Sequence, residues 1–132
     1  MEIMLDTNVL VSAALFPSAH MKRFLDHIIL NSHIILCSYV LDELYDVVRR
    51  KFPNKRREIE LFLFKFPFTL VHTPEINLLE MDITIDDEDD FPVIMSAIIF
   101  DVDILITGDK HFGDVDIDRP TILTPGEYMK MF

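Results

Sequence analysis

Four carboxylates in this chain stand either directly after an apolar segment or near the start of a predicted helix. Asp6 directly follows the first apolar run, and Asp109 follows a later one in Thr107-Gly-Asp-Lys110. Glu43 lies one turn into the helix predicted after a second strand, and Asp90 stands at the start of another predicted helix. In a parallel sheet, strand carboxyl ends and the helix starts that follow them lie at one edge, so we expect the four acids to converge there.

Convergence of four acids has an electrostatic cost that indicates what they bind. One like-charged pair at about 4 Å costs roughly 4 kcal/mol at an effective dielectric near 20. Such a cluster must protonate in part or bind a cation, and all-oxygen ligation suits Mg²⁺ or Mn²⁺. A cation of that kind can activate water for attack on a phosphodiester. The histidines show no zinc-ligand spacing, and Cys37 reads as a small buried residue.

The elements that must position these acids alternate along the chain. Apolar runs predict strands near 2–5, 34–37, 69–72, 103–107 and 121–123. Periodic patterns predict helices near 8–15, 19–31, 39–51, 54–65, 90–100 and 125–131. Ser38 is the predicted N-cap of the third helix, and Pro92 suits the first turn of the fifth. This alternation indicates one α/β domain over residues 1–132, with a mostly parallel sheet covered on both faces.

Composition and charge narrow the class of protein. The net charge of −11 disfavours nucleic-acid binding when taken alone, yet six of the 12 basic residues fall within 49–57 and five acids fall within 86–90. No stretch of about 18 uncharged apolar residues is present, and the N-terminus does not have the pattern of a signal peptide. The single cysteine is consistent with a reducing compartment. We therefore expect a cytoplasmic protein that does not enter membranes.

Four phenylalanines alternate with other residues at 62, 64, 66 and 68. Side chains two residues apart on a helix point in different directions, so these rings cannot all face the core. We expect some of them to be exposed and to form a dimer or partner contact. The alternative is a tight aromatic core beneath the sheet.

The motifs together resemble the PIN-domain family of metal-dependent ribonucleases, which includes VapC-type toxins of prokaryotic toxin–antitoxin pairs. The resemblance runs from one end of the chain to the other. It rests on the segments Leu5-Asp-Thr-Asn-Val-Leu10, Ser38-Tyr-Val-Leu-Asp-Glu-Leu44, Asp86-Asp-Glu-Asp-Asp-Phe-Pro-Val93 and Leu105-Ile-Thr-Gly-Asp-Lys110.

The resemblance implies a three-layer α/β/α sandwich with a short parallel sheet, and Mg²⁺- or Mn²⁺-dependent hydrolysis of single-stranded RNA. It assigns the catalytic and metal-site acids to Asp6, Glu43, Asp90 and Asp109, with Asp87 as the alternative to Asp90. Thr7 and Asn8 would orient Asp6 by hydrogen bonds, and Thr107 would line the site. A protein antitoxin and a homodimer are the partners it suggests.

The basic segment is the candidate contact for the RNA backbone, and a solvated helix corner is the equally weighted alternative. The residues expected to bind RNA are Arg49, Arg50, Lys51, Lys55 and Lys110.

Two other functions compete with hydrolysis. His111 stands where relatives often carry a further aspartate, which favours a degenerate scaffold that binds RNA or a protein without turnover. A phosphoenzyme mechanism on Asp6, as in haloacid-dehalogenase-like enzymes, would need an acid two residues later. That position is Asn8, which argues against it.

Overall fold

A computed structural model describes residues 1–75, 91–108 and 117–132. In these residues five strands form one sheet in which every neighbouring pair is parallel, in the order β3-β2-β1-β4-β5. The strands are β1 (Glu2–Leu5), β2 (His33–Cys37), β3 (Thr69–Val71), β4 (Ile104–Ile106) and β5 (Thr121–Leu123). The predicted α/β class and short parallel sheet are confirmed.

Six helices flank the sheet within the described segments, which gives the predicted three-layer arrangement. They are α1 (Thr7–Leu15), α2 (Ala19–Asn31), α3 (Ser38–Lys51), α4 (Arg56–Lys65), α5 (Phe91–Ile99) and α6 (Pro125–Met131), with a 3-10 turn at Pro53–Lys55. The sequence placed all six helices to within two residues at each end. None of the described helices is long and apolar enough to cross a membrane.

The central strand, β1, is the most completely enclosed part of the sheet. Ile3, Met4 and Leu5 are fully buried, as expected for a strand with helices on both faces. Met4 pairs with Ile35 of β2 on one side and with Leu105 of β4 on the other. Because the strands run in register, the residue after each strand arrives at the same edge of the sheet. That edge begins, for β1, with Asp6.

The predicted N-cap at Ser38 is wrong. Ser38 is the first helical residue of α3, and its hydroxyl accepts a hydrogen bond from the Thr73 N–H at 2.9 Å. The Thr73 hydroxyl in turn accepts from the Tyr39 N–H at 2.9 Å. A side chain that follows β3 therefore caps the helix that follows β2. The local pattern could not show this because the two residues lie 34 positions apart.

The alternating phenylalanines divide as predicted between the core and the surface. Phe66 is buried and stacks on Phe62 with a ring separation of 4.9 Å, whereas Phe64 is 87% exposed. Phe68 is half-buried against the core. Both readings of the sequence are thus partly realised: three rings pack inward, and one is left on the surface.

Burial of the central strands should dominate stability. Leu105→Ala in β4 removes a fully buried side chain, and we expect it to lower the free energy of unfolding by about 2–5 kcal/mol in a urea titration. Leu70→Ala makes the same change in the edge strand β3, where the side chain is 54% exposed, and should cost much less. Equal losses for the two variants would contradict this account of the core.

Candidate active site

Asp6 is a buried carboxylate held at the carboxyl end of the central strand. It is 4% exposed, and each of its oxygens accepts a hydrogen bond. Oδ1 accepts from the Val9 N–H at 3.1 Å, which makes Asp6 the N-cap of α1. Oδ2 accepts a hydrogen bond from the Thr107 hydroxyl. The capping bond satisfies one of the backbone N–H donors that would otherwise lack a partner at the start of α1.

Thr107 joins Asp6 to the neighbouring strands. It directly follows β4 and is 2% exposed. Its N–H donates to the Leu123 carbonyl at 2.9 Å, while the Asp6 N–H donates to the Ile106 carbonyl at 3.1 Å. The ends of β1, β4 and β5 are therefore fixed relative to one another by backbone and side-chain hydrogen bonds. The geometry places Thr107 against the carboxylate that it was expected to accompany.

The sequence suggested that Thr7 and Asn8 orient Asp6 by hydrogen bonds. In the part of the chain that the structure describes, Thr7 forms no such bond. The Thr7 hydroxyl is buried and has no hydrogen-bond partner among the described atoms. Asn8 is exposed, and none of the described hydrogen bonds joins its side chain to Asp6. Asp6 instead accepts a hydrogen bond from a backbone donor in the first turn of α1, the Val9 N–H. A backbone donor and Thr107 then occupy its two oxygens.

Glu43 lies in the second turn of α3, the helix that begins at the same edge of the sheet. It is half-buried, and its Oε2 accepts a hydrogen bond from the Tyr39 hydroxyl at 3.2 Å. The two residues are one helical turn apart, so Tyr39 restrains the direction of the carboxylate. Helix α3 also packs against α1 and α5. The sequence did not identify these supporting roles: Tyr39 lies inside the motif Ser38–Leu44 but was assigned no contact, and Thr73 stands in no motif.

Several predicted site residues lie outside the described residues: Asp87, Asp90, Asp109, Lys110 and His111. Within the described ranges no group of three His, Cys, Asp or Glu side chains could hold a metal ion. Those ranges contain only two of the four predicted ligands, Asp6 and Glu43. The assignment of the full set therefore stays a prediction.

The basic segment begins at the far end of α3. Arg49 is eleven residues beyond Ser38, a helical rise of about 16 Å from the edge that carries Asp6. Arg49 and Arg50 both pair with Asp46, at 2.5 and 2.9 Å. The Arg49 hydrogen bond, with a contribution from Arg50, holds the pKa of Asp46 below its usual value.

Three cations of the segment pair with acids, since Arg56 also bonds Glu60 at 3.0 Å. All of these groups are solvent-exposed, so the pairs add little to stability. The pairing leaves Lys51, Lys55 and Arg57 as the cations of this segment without a described ion pair.

Comparison with known proteins decides the family. The sequence profile of the PIN domain matches residues 2–111, most of the chain. The chain belongs to the PIN domain family. No curated protein matches the sequence significantly. The family assignment agrees with the order of motifs around Asp6, Glu43 and Thr107.

A solved structure shares the PIN fold. The crystal structure of VapBC2 from Rickettsia felis, bound to a DNA fragment from their promoter, contains a chain that matches with a TM-score of 0.69. The match covers 93% of this chain and 97% of that chain at 22% sequence identity. At this identity the comparison shows a common fold.

The side chains at the edge of this PIN domain fit a hard divalent cation. Asp6 and Glu43 offer carboxylate oxygens, and the hydroxyls of Thr7 and Thr107 stand beside Asp6 in sequence or in space. Mg²⁺ and Mn²⁺ prefer such oxygen donors and retain several waters. Cys37 is buried at the end of β2 and no described histidine joins a ligand group, which is unlike a zinc site.

Removal of the Thr107 hydroxyl should destabilise the folded protein, because the buried carboxylate of Asp6 then lacks a hydrogen-bond donor. Thr107→Val preserves the shape of the side chain but deprives Asp6 of a donor. We expect a loss of about 1.5–3 kcal/mol in the free energy of unfolding at pH 7, measured by urea titration. Thr107→Ser keeps the hydroxyl and should retain most of the stability. If valine and serine prove equally harmless, the hydrogen bond does not hold Asp6.

Proposed function

We propose that this PIN domain is a metal-dependent endoribonuclease that hydrolyses phosphodiester bonds of single-stranded RNA, and that it is the toxin component of a prokaryotic toxin–antitoxin pair. The observation that carries the proposal is Asp6, a buried carboxylate with hydrogen bonds to both oxygens, at the carboxyl edge of a parallel sheet. That edge is where α/β folds bind their ligands. Membership of the PIN family supports the reaction class.

At this edge, some residues would bind the cation and others would hold those ligands in position. Asp6 and Glu43, with Asp90 and Asp109, would bind Mg²⁺ or Mn²⁺, and Asp87 is the alternative to Asp90. A bound divalent cation supplies an activated water and neutralises charge on the phosphodiester. Thr107 and the start of α1 fix Asp6, and Tyr39 restrains Glu43, so the ligands are positioned before the substrate binds.

An antitoxin is the protein partner that we propose. The solved structure that shares this fold is of VapBC2 bound to a DNA fragment from their promoter, which supports a partner of this class. A toxin of this kind acts in the cytoplasm, and the proposal therefore includes a cytoplasmic location.

Metal binding and cleavage should depend on the same carboxylates. We expect the protein to cleave an unstructured RNA with Mn²⁺ or Mg²⁺, and millimolar Mn²⁺ to raise its melting temperature by mass action. Asp6→Asn and Glu43→Gln should each lower the cleavage rate by at least about 100-fold and remove the thermal shift. Gel-based cleavage and a thermal melt, on the same preparations, measure both effects.

Asp42→Asn is the matched control for Glu43→Gln, because Asp42 is the exposed neighbour on α3. It should leave both readouts unchanged. Identical residual cleavage by wild type and Asp6→Asn would mean that the activity is a contaminant. RNA binding without cleavage or a Mn²⁺ shift would favour the degenerate scaffold instead.

The surface around Phe64 is proposed as the contact of a homodimer. Phe64 is 87% exposed and Leu61, one turn earlier, is 49% exposed. Phe64→Asp should convert a dimer to a monomer in size-exclusion chromatography with light scattering. Leu30→Asp changes a similarly exposed apolar residue on α2 and should leave the dimer intact. A monomeric wild type would contradict the proposal.

A further inference from the structure

A groove lies between the first turns of α2 and helix α6. It has a volume of about 410 Å³ and is lined by Ser18, His20, Arg23, Pro125, Met129 and Lys130, among others. Its walls are fixed to each other at their base. Phe24 of α2 packs edge-on against Tyr128 of α6 at 5.5 Å, and His27 shares a 2.9 Å hydrogen bond with the Tyr128 hydroxyl.

The groove carries positive charge in a strongly acidic chain. Arg23 and Lys130 are exposed, and neither forms an ion pair with a carboxylate of the described segments. The single acid of α6, Glu127, is turned back onto the Thr124 N–H in a capping box. Two cations thus face the groove while the acid on the same helix is engaged elsewhere.

His20 adds a hydrogen-bond donor to this rim. Its Nδ1 lies 2.7 Å from a guanidinium nitrogen of Arg23, and a guanidinium can only donate. Nδ1 therefore accepts, and the proton of the neutral ring stands on Nε2. The same contact holds Arg23 in place at the mouth of the groove.

One wall of the groove, Pro125, stands two residues beyond Leu123, where β5 ends at the edge of the sheet that also carries Asp6. The Thr107 hydroxyl bonds Asp6, and the Thr107 N–H bonds the Leu123 carbonyl. Strands β1 and β5 are separated only by β4, so their ends are about 10 Å apart. A few nucleotides of single-stranded RNA can span that distance.

We propose that this groove, formed by α2 and α6, binds the phosphodiester backbone of the RNA substrate beside the cleavage site. The inference rests on the proposed ribonuclease function. It places the principal backbone contact here rather than in the basic segment 49–57, where three of the six cations pair with Asp46 or Glu60. Arg23 and Lys130 bind phosphates, and His20 donates to a phosphate oxygen.

The lining suits a nucleotide better than a purely acidic peptide such as polyglutamate. Met21, Pro125 and Met129 give the groove an apolar floor between its cations. A nucleotide presents an anionic phosphate and a flat, largely apolar base face together, and this lining matches both. An acidic side chain offers only the charge.

The test is RNA affinity without turnover. Fluorescence anisotropy of a labelled, unstructured 12-nucleotide RNA is measured in EDTA over a range of salt concentrations. Arg23→Ala combined with Lys130→Ala should weaken binding by at least about 10-fold and reduce the salt slope by about 1.4, since each single-strand phosphate contact contributes about 0.7. Arg23→Lys should retain the slope. All the altered side chains are exposed, so melting temperatures should match that of the wild type.

The matched control is Arg57→Ala combined with Lys65→Ala, two exposed cations outside the groove, which changes the net charge equally. It should leave the salt slope unchanged. Equal losses in the two double variants, or wild-type binding by the first, would overturn the proposal. So would a polyglutamate peptide that competes as well as unlabelled RNA. Because EDTA prevents cleavage, a groove that binds RNA in a protein that never cleaves it would refute the ribonuclease function alone.

Discussion

The hydrogen bond from Thr107 to Asp6 is the constraint on which the candidate site depends. A carboxylate that is 4% exposed is costly to keep charged unless its oxygens are engaged. Thr107 engages one oxygen and the Val9 N–H engages the other. The fold thereby presents an anionic group at a fixed place. The same contacts stabilise the edge of the sheet and fix the direction of the Asp6 carboxylate, the proposed metal ligand.

The edge is assembled from strands distant in sequence. Asp6 and Thr107 are 101 residues apart, and Ser38 and Thr73 join the ends of β2 and β3 across 35 residues. Each threonine follows a different strand and bonds a residue that follows its neighbour. A parallel sheet makes this pattern available because all strand ends meet on one side. One wall of the groove between α2 and α6, Pro125, follows β5 at this edge.

Much of the fold could be predicted because each element carries its own local signal. Apolar runs identified β1, β2 and β4, and helical periodicity located α3 to within a residue. The family could be predicted because four weak motifs occur in the right order, and the match over residues 2–111 agrees. The hydrogen-bond partners of Asp6 could not be predicted, because they depend on tertiary contacts between distant threonines and helix starts. For the same reason, the sequence did not predict that Thr7 is buried, or that Thr73 caps α3 in place of Ser38.

The central claim is that Asp6 and Glu43 share one cation with acids from elsewhere in the chain. A crystal soaked in Mn²⁺ and measured for anomalous scattering tests this most directly. The account predicts a manganese peak within about 2.0–2.4 Å of carboxylate oxygens of both Asp6 and Glu43. An anomalous map with no peak near Asp6, or with manganese bound only at surface acids such as Asp46, would contradict it.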